Sequence, residues 1–373
     1  MSKKMIVAGH ICLDITPVFS SNSIKPISQV LIPGKLVEMK DVSVSTGGAV
    51  ANTGLGLKIL GANVTLMGKV GTDEFGSIVC NILKKYDALE GMLVSPENST
   101  SYTVVLTPPG TDRIFLHNPG ANSTFSYTDL DFALIQEAEL FHLGYPPIMK
   151  KLYENEGADL VHIFQRIKEL HVLTSLDMAT IDPESEAGQV NWIHILQKVL
   201  PYVDFFVPSI EELGFMLDRK LYDTWLERAE GQDITSVISI EEDVKPLAEQ
   251  LLQWGAKVVL IKCGAPGMFF KTASKDVLLS MGEQFTSWAD KEVFEESYLP
   301  EQVLSGTGAG DTSIAAFLKA VLDGYSYTEC LQLAAGTGAS CVAAYDALSG
   351  LKTFEELREK IANGWEKQHL IKK

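Results

Sequence analysis

The sequence predicts an α/β fold: a mostly parallel sheet with helices on both faces, carrying a second, smaller sheet. Three observations predict it. Short apolar runs of strand length alternate with helical stretches through the second half of the chain, as in parallel strands joined by crossover helices. Two β-rich segments, 15–46 and 98–122, interrupt that alternation. A glycine-rich loop, SGTGAGDT at 305–312, runs directly into an amphipathic stretch.

KMIVAG (4–9) reads as a buried strand ending in glycine. Residues 15–46 are rich in Pro, Ser and Val without helical periodicity, so they read as short strands and loops. AVANTGLGLKILG (49–61) reads as a helix closed by Gly61, and NVTLMGKV (63–70) as the next strand. TSYTVVLTPPGTDRIFLHNPGAN (100–122) alternates like a hairpin with PPGTD at its turn. AELFHLG (138–144), HVLTSLD (171–177), VDFFVP (203–208) and AKVVLIKCG (256–264) are further strands, each following a helical stretch. The acidic stretch 219–242 reads as a surface insertion. The main body then comprises 1–14, 47–97 and 123–373, and segments 15–46 and 98–122 form a discontinuous β-sheet lid beside a ligand crevice.

Of the 373 residues, 46% are apolar and 21% charged, the balance of an ordinary globular protein with room for a large core. The net charge of −17 argues against a general binder of nucleic acid or anionic membrane. Five cysteines at 12, 80, 263, 330 and 341 form no CxxC pair and read as reduced thiols. No apolar run approaches the roughly 20 residues of a membrane span. The N-terminus lacks the longer apolar run and cleavage site of a signal peptide, so a cytoplasmic protein is expected.

The glycine loop fails the dinucleotide fingerprint, because Asp311 stands where the third glycine belongs. It carries no Walker lysine either. After it, Ile314, Phe317, Leu318, Val321 and Leu322 recur at helical spacing and Gly324 ends the run. Gly308, Ala309 and Gly310 therefore head a helix, where unpaired amides and the helix dipole favour an anion. A carboxylate there would repel a bound triphosphate. It gains a purpose if Asp311 faces an alcohol, taking its proton while the loop amides hold the migrating phosphoryl group. The other reading of Asp311 is a plain helix N-cap.

Over nearly its whole length the sequence resembles a ribokinase-like (PfkB-type) carbohydrate kinase. The resemblance rests on Gly9…Asp14, Gly47-Gly48…Asn52, Val70-Gly-Thr-Asp-Glu-Phe-Gly76 and Gly308-Ala-Gly-Asp311, in the family's order. It implies a doubly wound α/β sheet with a β lid built from two inserts. It also implies that Asp14, Gly47, Gly48 and Asn52 hold the sugar, and that Lys262, Gly264 and Gly267 form a turn under ATP. Glu212 in VPSIEEL would arrange Mg²⁺ and phosphates, with Ser209 where Asn is usual. The helix 332–345 would border adenine through Gly336, Gly338 and Ala339, although helix packing explains these small residues equally. Ser305 replaces an acid that holds a monovalent cation in many members, so that dependence is not carried over. Ala49 and the stretch SLDMATID (175–182) also depart from common members, which points to an altered choice of substrate.

Arg113 and His117 fall on one face of the hairpin, where Arg113 would meet a carboxylate, phosphate or transferred phosphoryl group. His10 would edge the sugar pocket. The expectation is an ATP-dependent kinase acting on a sugar or sugar-acid hydroxyl, forming a homodimer through the lid edge. A nucleoside kinase, with Phe19, Tyr102 or Phe115 clamping a base, and a catalytically silent sugar-binding regulator are the alternatives.

Overall fold

The computed structural model describes residues 3–20, 23–109 and 114–370. Arg113 and most of the predicted hairpin turn lie outside them. The strands in chain order are β1 (Lys4–Gly9), β2 (Cys12–Phe19), β3 (Met39–Gly47), β4 (Asn63–Met67), β5 (Lys69–Gly71), β6 (Leu93–Ser95) and β7 (Tyr102–Leu106). They continue with β8 (Ile114–Asn118), β9 (Leu140–Gly144), β10 (Leu173–Asp177), β11 (Phe205–Phe206), β12 (Val258–Lys262), β13 (Gly267–Thr272) and β14 (Glu292–Glu296).

The main sheet has eight strands in the order β14-β13-β12-β11-β10-β9-β1-β4. From β4 to β12 every pairing is parallel, while β13 and β14 close one edge antiparallel. Alternation along β1 shows why helices cover both faces. Met5 and Val7 point into one hydrophobic core, Ile6 and Ala8 into a second on the opposite face. A strand buried on both sides must be apolar throughout, as KMIVAG nearly is.

The smaller sheet has four strands in the order β3-β2-β7-β8. It is tied to the main sheet at its root, because only His10 and Ile11 separate β1 from β2. The register Cys12↔Gly47 and Asp14↔Ser45 fixes which residues of β2 and β3 meet.

Several elements differ from the sequence reading. The run 63–70 is two strands, β4 and β5, broken at Gly68, and β5 leaves the main sheet to pair with β6. Segment 15–46 includes a short helix, Ile27–Val30. Only Phe205 and Phe206 of 203–208 form ladder pairs. The helix expected over 332–345 spans Tyr327–Cys341, and the chain beyond it turns back. Strands β13 and β14 were not anticipated. The 219–242 segment begins with a helix, Arg219–Ala229, anchored by Trp225, which is fully buried in the core. Among the described residues, no helix is long and apolar enough to cross a membrane.

Candidate active site

The candidate residues gather where the parallel strands end. His10 follows β1, Tyr145 follows β9, Asp177 ends β10 and Lys262 ends β12. Helix Ala309–Asp323 points its N-terminus at the same edge, the usual ligand side of an open α/β sheet.

Asp311 is not the helix cap. Gly308 is, with φ +74° and no side-chain cap, a conformation that glycine adopts without strain. Asp311 sits in the first turn and is buried. Its Oδ2 accepts from Asn52 Nδ2 at 2.9 Å. The Tyr145 hydroxyl lies 2.8 Å from each carboxylate oxygen. Thr53 Oγ1 approaches the Asp311 main-chain oxygen at 3.3 Å. Burial pushes the Asp311 carboxyl above its ordinary value, against the Asn52 hydrogen bond, the Lys262 charge and the Tyr145 hydrogen bond. Burial and the charge of Asp311 push the Tyr145 phenol well up, so it stays protonated and donates.

Beside the loop, Lys262 bonds Asp177 Oδ1 at 2.6 Å. A side chain at Gly310 would lie 3.3 Å from Lys262 Cδ, so the bare backbone lets the lysine run alongside it. Burial works against the Lys262 ammonium, but Asp177, Glu212 and Asp311 outweigh it and raise its pKa. Burial pushes Asp177 up to about 8 despite Lys262, and Glu212 and Asp311 push the same way. Three acids thus surround one ammonium, an environment that favours an added cation or proton.

Ser209 and Glu212 form a reciprocal capping box on helix Ile210–Leu217. Glu212 Oε2 accepts from the Ser209 N–H at 2.7 Å, which fixes the carboxylate near Lys262. Among the described residues, no group of three or more His, Cys, Asp or Glu is arranged to hold a metal.

Gly264 and Gly267 make the turn after β12, closed by the Cys263 N–H donating to the Gly267 oxygen at 2.8 Å. A cavity of about 430 Å³ opens beside this turn, lined in part by Thr235, Ser239, Cys263 and Pro266. Gly336 is turned elsewhere: a side chain there would lie 3.2 Å from Trp365 and 3.5 Å from Leu357. Ala339 is buried in the core on the same helix.

The residues expected to hold the sugar come together as a second group. Gly47 packs its bare Cα against the Asp14 carboxyl. Burial raises Asp14 to about 6, partly offset by hydrogen bonds from Cys12 and Thr103. Gly48 starts helix Ala49–Ile59 at φ +85°, and a side chain there would collide with His10. Asn52, one turn on, reaches Asp311 and so joins the two groups. Tyr145, Asp177 and Thr53 were not singled out from the sequence. The signal available for Tyr145 and Asp177 was their place at strand carboxyl ends.

Comparison with known proteins bears on the family and the fold. The pfkB family carbohydrate kinase profile matches residues 6–353. The chain is 25% identical to the 2-dehydro-3-deoxygluconokinase of Bacillus subtilis over 330 residues, covering 87% of this chain and 89% of that one. It is 24% identical to an uncharacterised sugar kinase of Archaeoglobus fulgidus, covering 80% of this chain and 98% of that one. The ribokinase of Arabidopsis thaliana, solved with ribose and ATP, superposes with a TM-score of 0.69 at 20% identity, covering 96% of this chain and 98% of that one. A putative ribokinase II from E. coli, solved with ATP and Mg²⁺, also gives 0.69, at 21% identity with 97% and 99% covered. The protein is thus a carbohydrate kinase of the ribokinase fold. It belongs to the pfkB family of carbohydrate kinases.

Proposed function

We propose that the protein transfers the γ-phosphoryl group of ATP to a hydroxyl of a sugar or sugar acid, with Asp311 as the base. One observation carries this reading: a buried carboxylate at a glycine-headed helix N-terminus, held by Asn52 and Tyr145. In the reaction the acceptor oxygen bonds to the γ-phosphorus as the bond to the ADP oxygen breaks. The acceptor proton passes to Asp311. The amides of Gly308, Ala309 and Gly310, with the Lys262 ammonium, offset the charge on the migrating group. Asp14 accepts hydrogen bonds from hydroxyls of the sugar, and Asn52 offers both donor and acceptor.

ATP would lie over the turn of Gly264 and Gly267, near Lys262 and Ser209. Because Trp365 covers Gly336, base contact at Gly336 and Ala339 would require that indole to yield. Mg²⁺, held by Glu212 through water, would neutralise phosphate charge when bound. Tyr145 stands against Asp311 on the side an acceptor must reach, so its hydroxyl has to give way or share the carboxylate. The small sheet, spanning 15–46 and 98–122 in its main extent, would close over the sugar and exclude water. Val42, Val44 and Leu116 are exposed on that sheet, which supports a homodimer through its edge. Five unpaired cysteines suit a reducing cytoplasm.

The test is ADP release with Mg-ATP and a panel of D-fructose, D-ribose, 2-dehydro-3-deoxygluconate and nucleosides. Phosphorylation of a sugar that Asp311→Asn abolishes supports the reading. Turnover restricted to nucleosides, or sugar binding without turnover, rejects it. Sedimentation as a monomer rejects the dimer.

A further inference from the structure

Both ring nitrogens of His10 are buried without a hydrogen-bond partner. An unsatisfied buried polar atom is costly, so a fold retains one where something else meets it. The surroundings of this ring are specific. His10 leaves β1 at its carboxyl end, two residues ahead of β2, and its ring rests on the bare Cα of Gly48. The Tyr145 ring centre lies 6.0 Å away. From the small sheet, the His117 ring comes within 5.2 Å, with its own Nδ1 3.0 Å from Thr103 Oγ1. The unpartnered ring is therefore wedged between the start of helix Ala49–Ile59, the tyrosine that touches Asp311, and the sheet that would cover the acceptor.

We propose that His10 is a specificity-determining residue, its imidazole sharing a hydrogen bond with an uncharged oxygen, hydroxyl or carbonyl, of the bound sugar. This rests on the reading that the space beside Asp14, Gly48 and Asn52 takes the acceptor. Burial, and then the proximity of His117, hold the His10 ring well below the ordinary imidazole value, so it is neutral. A neutral imidazole offers one N–H and one lone pair, which match a hydroxyl in either direction. A carboxylate could take only the N–H and would leave the ring's lone pair unmet, and the imidazolium that would suit it better is disfavoured by burial. Oxygens of the sugar away from the phosphorylated one are thus read by His10, while Asp311 serves the reacting hydroxyl.

The experiment takes the sugar that the wild-type protein phosphorylates best among D-fructose, D-ribose and 2-dehydro-3-deoxygluconate, together with its mono-deoxy analogues. His10→Ala should raise the KM for the parent sugar about tenfold, the loss of one neutral hydrogen bond, with the KM for ATP unchanged. For one deoxy analogue the wild type should already show that loss, and His10→Ala should add nothing. For the other analogues the variant should lose its tenfold again. If His10→Ala does not fold, His10→Asn is measured in its place with the same expectation of selective loss. An unchanged sugar KM, or the same loss with every analogue, overturns the proposal and leaves His10 satisfied by buried water or by packing alone. A wild-type protein that phosphorylates no sugar overturns both this proposal and the acceptor-site reading. A sugar kinase indifferent to His10 overturns this proposal alone.

Discussion

The hydroxyl of Tyr145 touches both oxygens of the Asp311 carboxylate, 2.8 Å from each. It is delivered from a residue with φ +70°, a left-handed conformation that is uncommon for tyrosine. A donor facing a carboxylate stabilises its charged form. Removing that donor with Tyr145→Phe should raise the Asp311 pKa. Because a base works only when ionised, the acid-side decline of kcat/KM should move to higher pH. A pH–rate profile measures this, and an unmoved acid limb would show that Tyr145 does not tune the base.

Asp311→Asn keeps the shape and the Asn52 contact but removes the proton acceptor. Turnover should fall by about 10²–10⁴-fold, the range of general-base catalysis. ATP affinity, read by titration calorimetry, should hold. Near-normal turnover would reject Asp311 as the base.

Asp14 links the site to stability. Burial raises its carboxyl to about 6, above the unfolded value, so the folded state holds the proton more tightly. That stabilisation is complete below the unfolded pKa and is lost as pH rises through about 6, leaving a buried charge that costs roughly 3 kcal/mol at neutral pH. Asp14→Asn should therefore raise the melting temperature near neutrality, do little near pH ~4, and weaken sugar binding. Thermal melts at the two pH values decide; a gain equal at both would contradict the assignment.

Gly48→Ala would force a side chain into a left-handed position already filled by His10. At φ +85° and ψ 164°, a region left almost wholly to glycine, the strain alone is worth about 1–3 kcal/mol. The acceptor KM should rise while the KM for ATP stays put, measured by steady-state kinetics with each substrate varied in turn.

Glu212→Gln preserves an acceptor for the Ser209 N–H and removes one charge near Lys262. The Mg²⁺ concentration for half-maximal activity should increase several-fold while the melting temperature barely changes. An unchanged Mg²⁺ requirement would confine Glu212 to helix capping.

The parts legible in the sequence share a physical reason. Gly48 and Gly308 stand where backbone conformation and close approach exclude side chains, and such positions leave a local signature beside Asn52 and Asp311. The parallel core was legible because strands such as β1 are apolar on both faces. Tyr145 was not, because its role depends on meeting Asp311 across 166 positions. The Lys262–Asp177 pair, 85 positions apart, was hidden for the same reason, although both residues lay in recognised stretches. β13 and β14 were missed because antiparallel edge strands break the alternation of strand and helix. The helix assigned to 332–345 was drawn too long because small residues continue past Cys341. Only tertiary contact, such as the Leu304 and Ser305 amides donating to the Val342 oxygen, reveals the turn there.

Asn52 and Asp311 meet although 259 positions separate them. During synthesis, the chain through Asp311 must leave the ribosome before that handshake can form. Until helix Ala309–Asp323 emerges, Asn52 and Thr53 have no acid to hold. A prematurely terminated product ending before that helix would be inert rather than weakly active, and its unfinished crevice would be a target for chaperones and proteases.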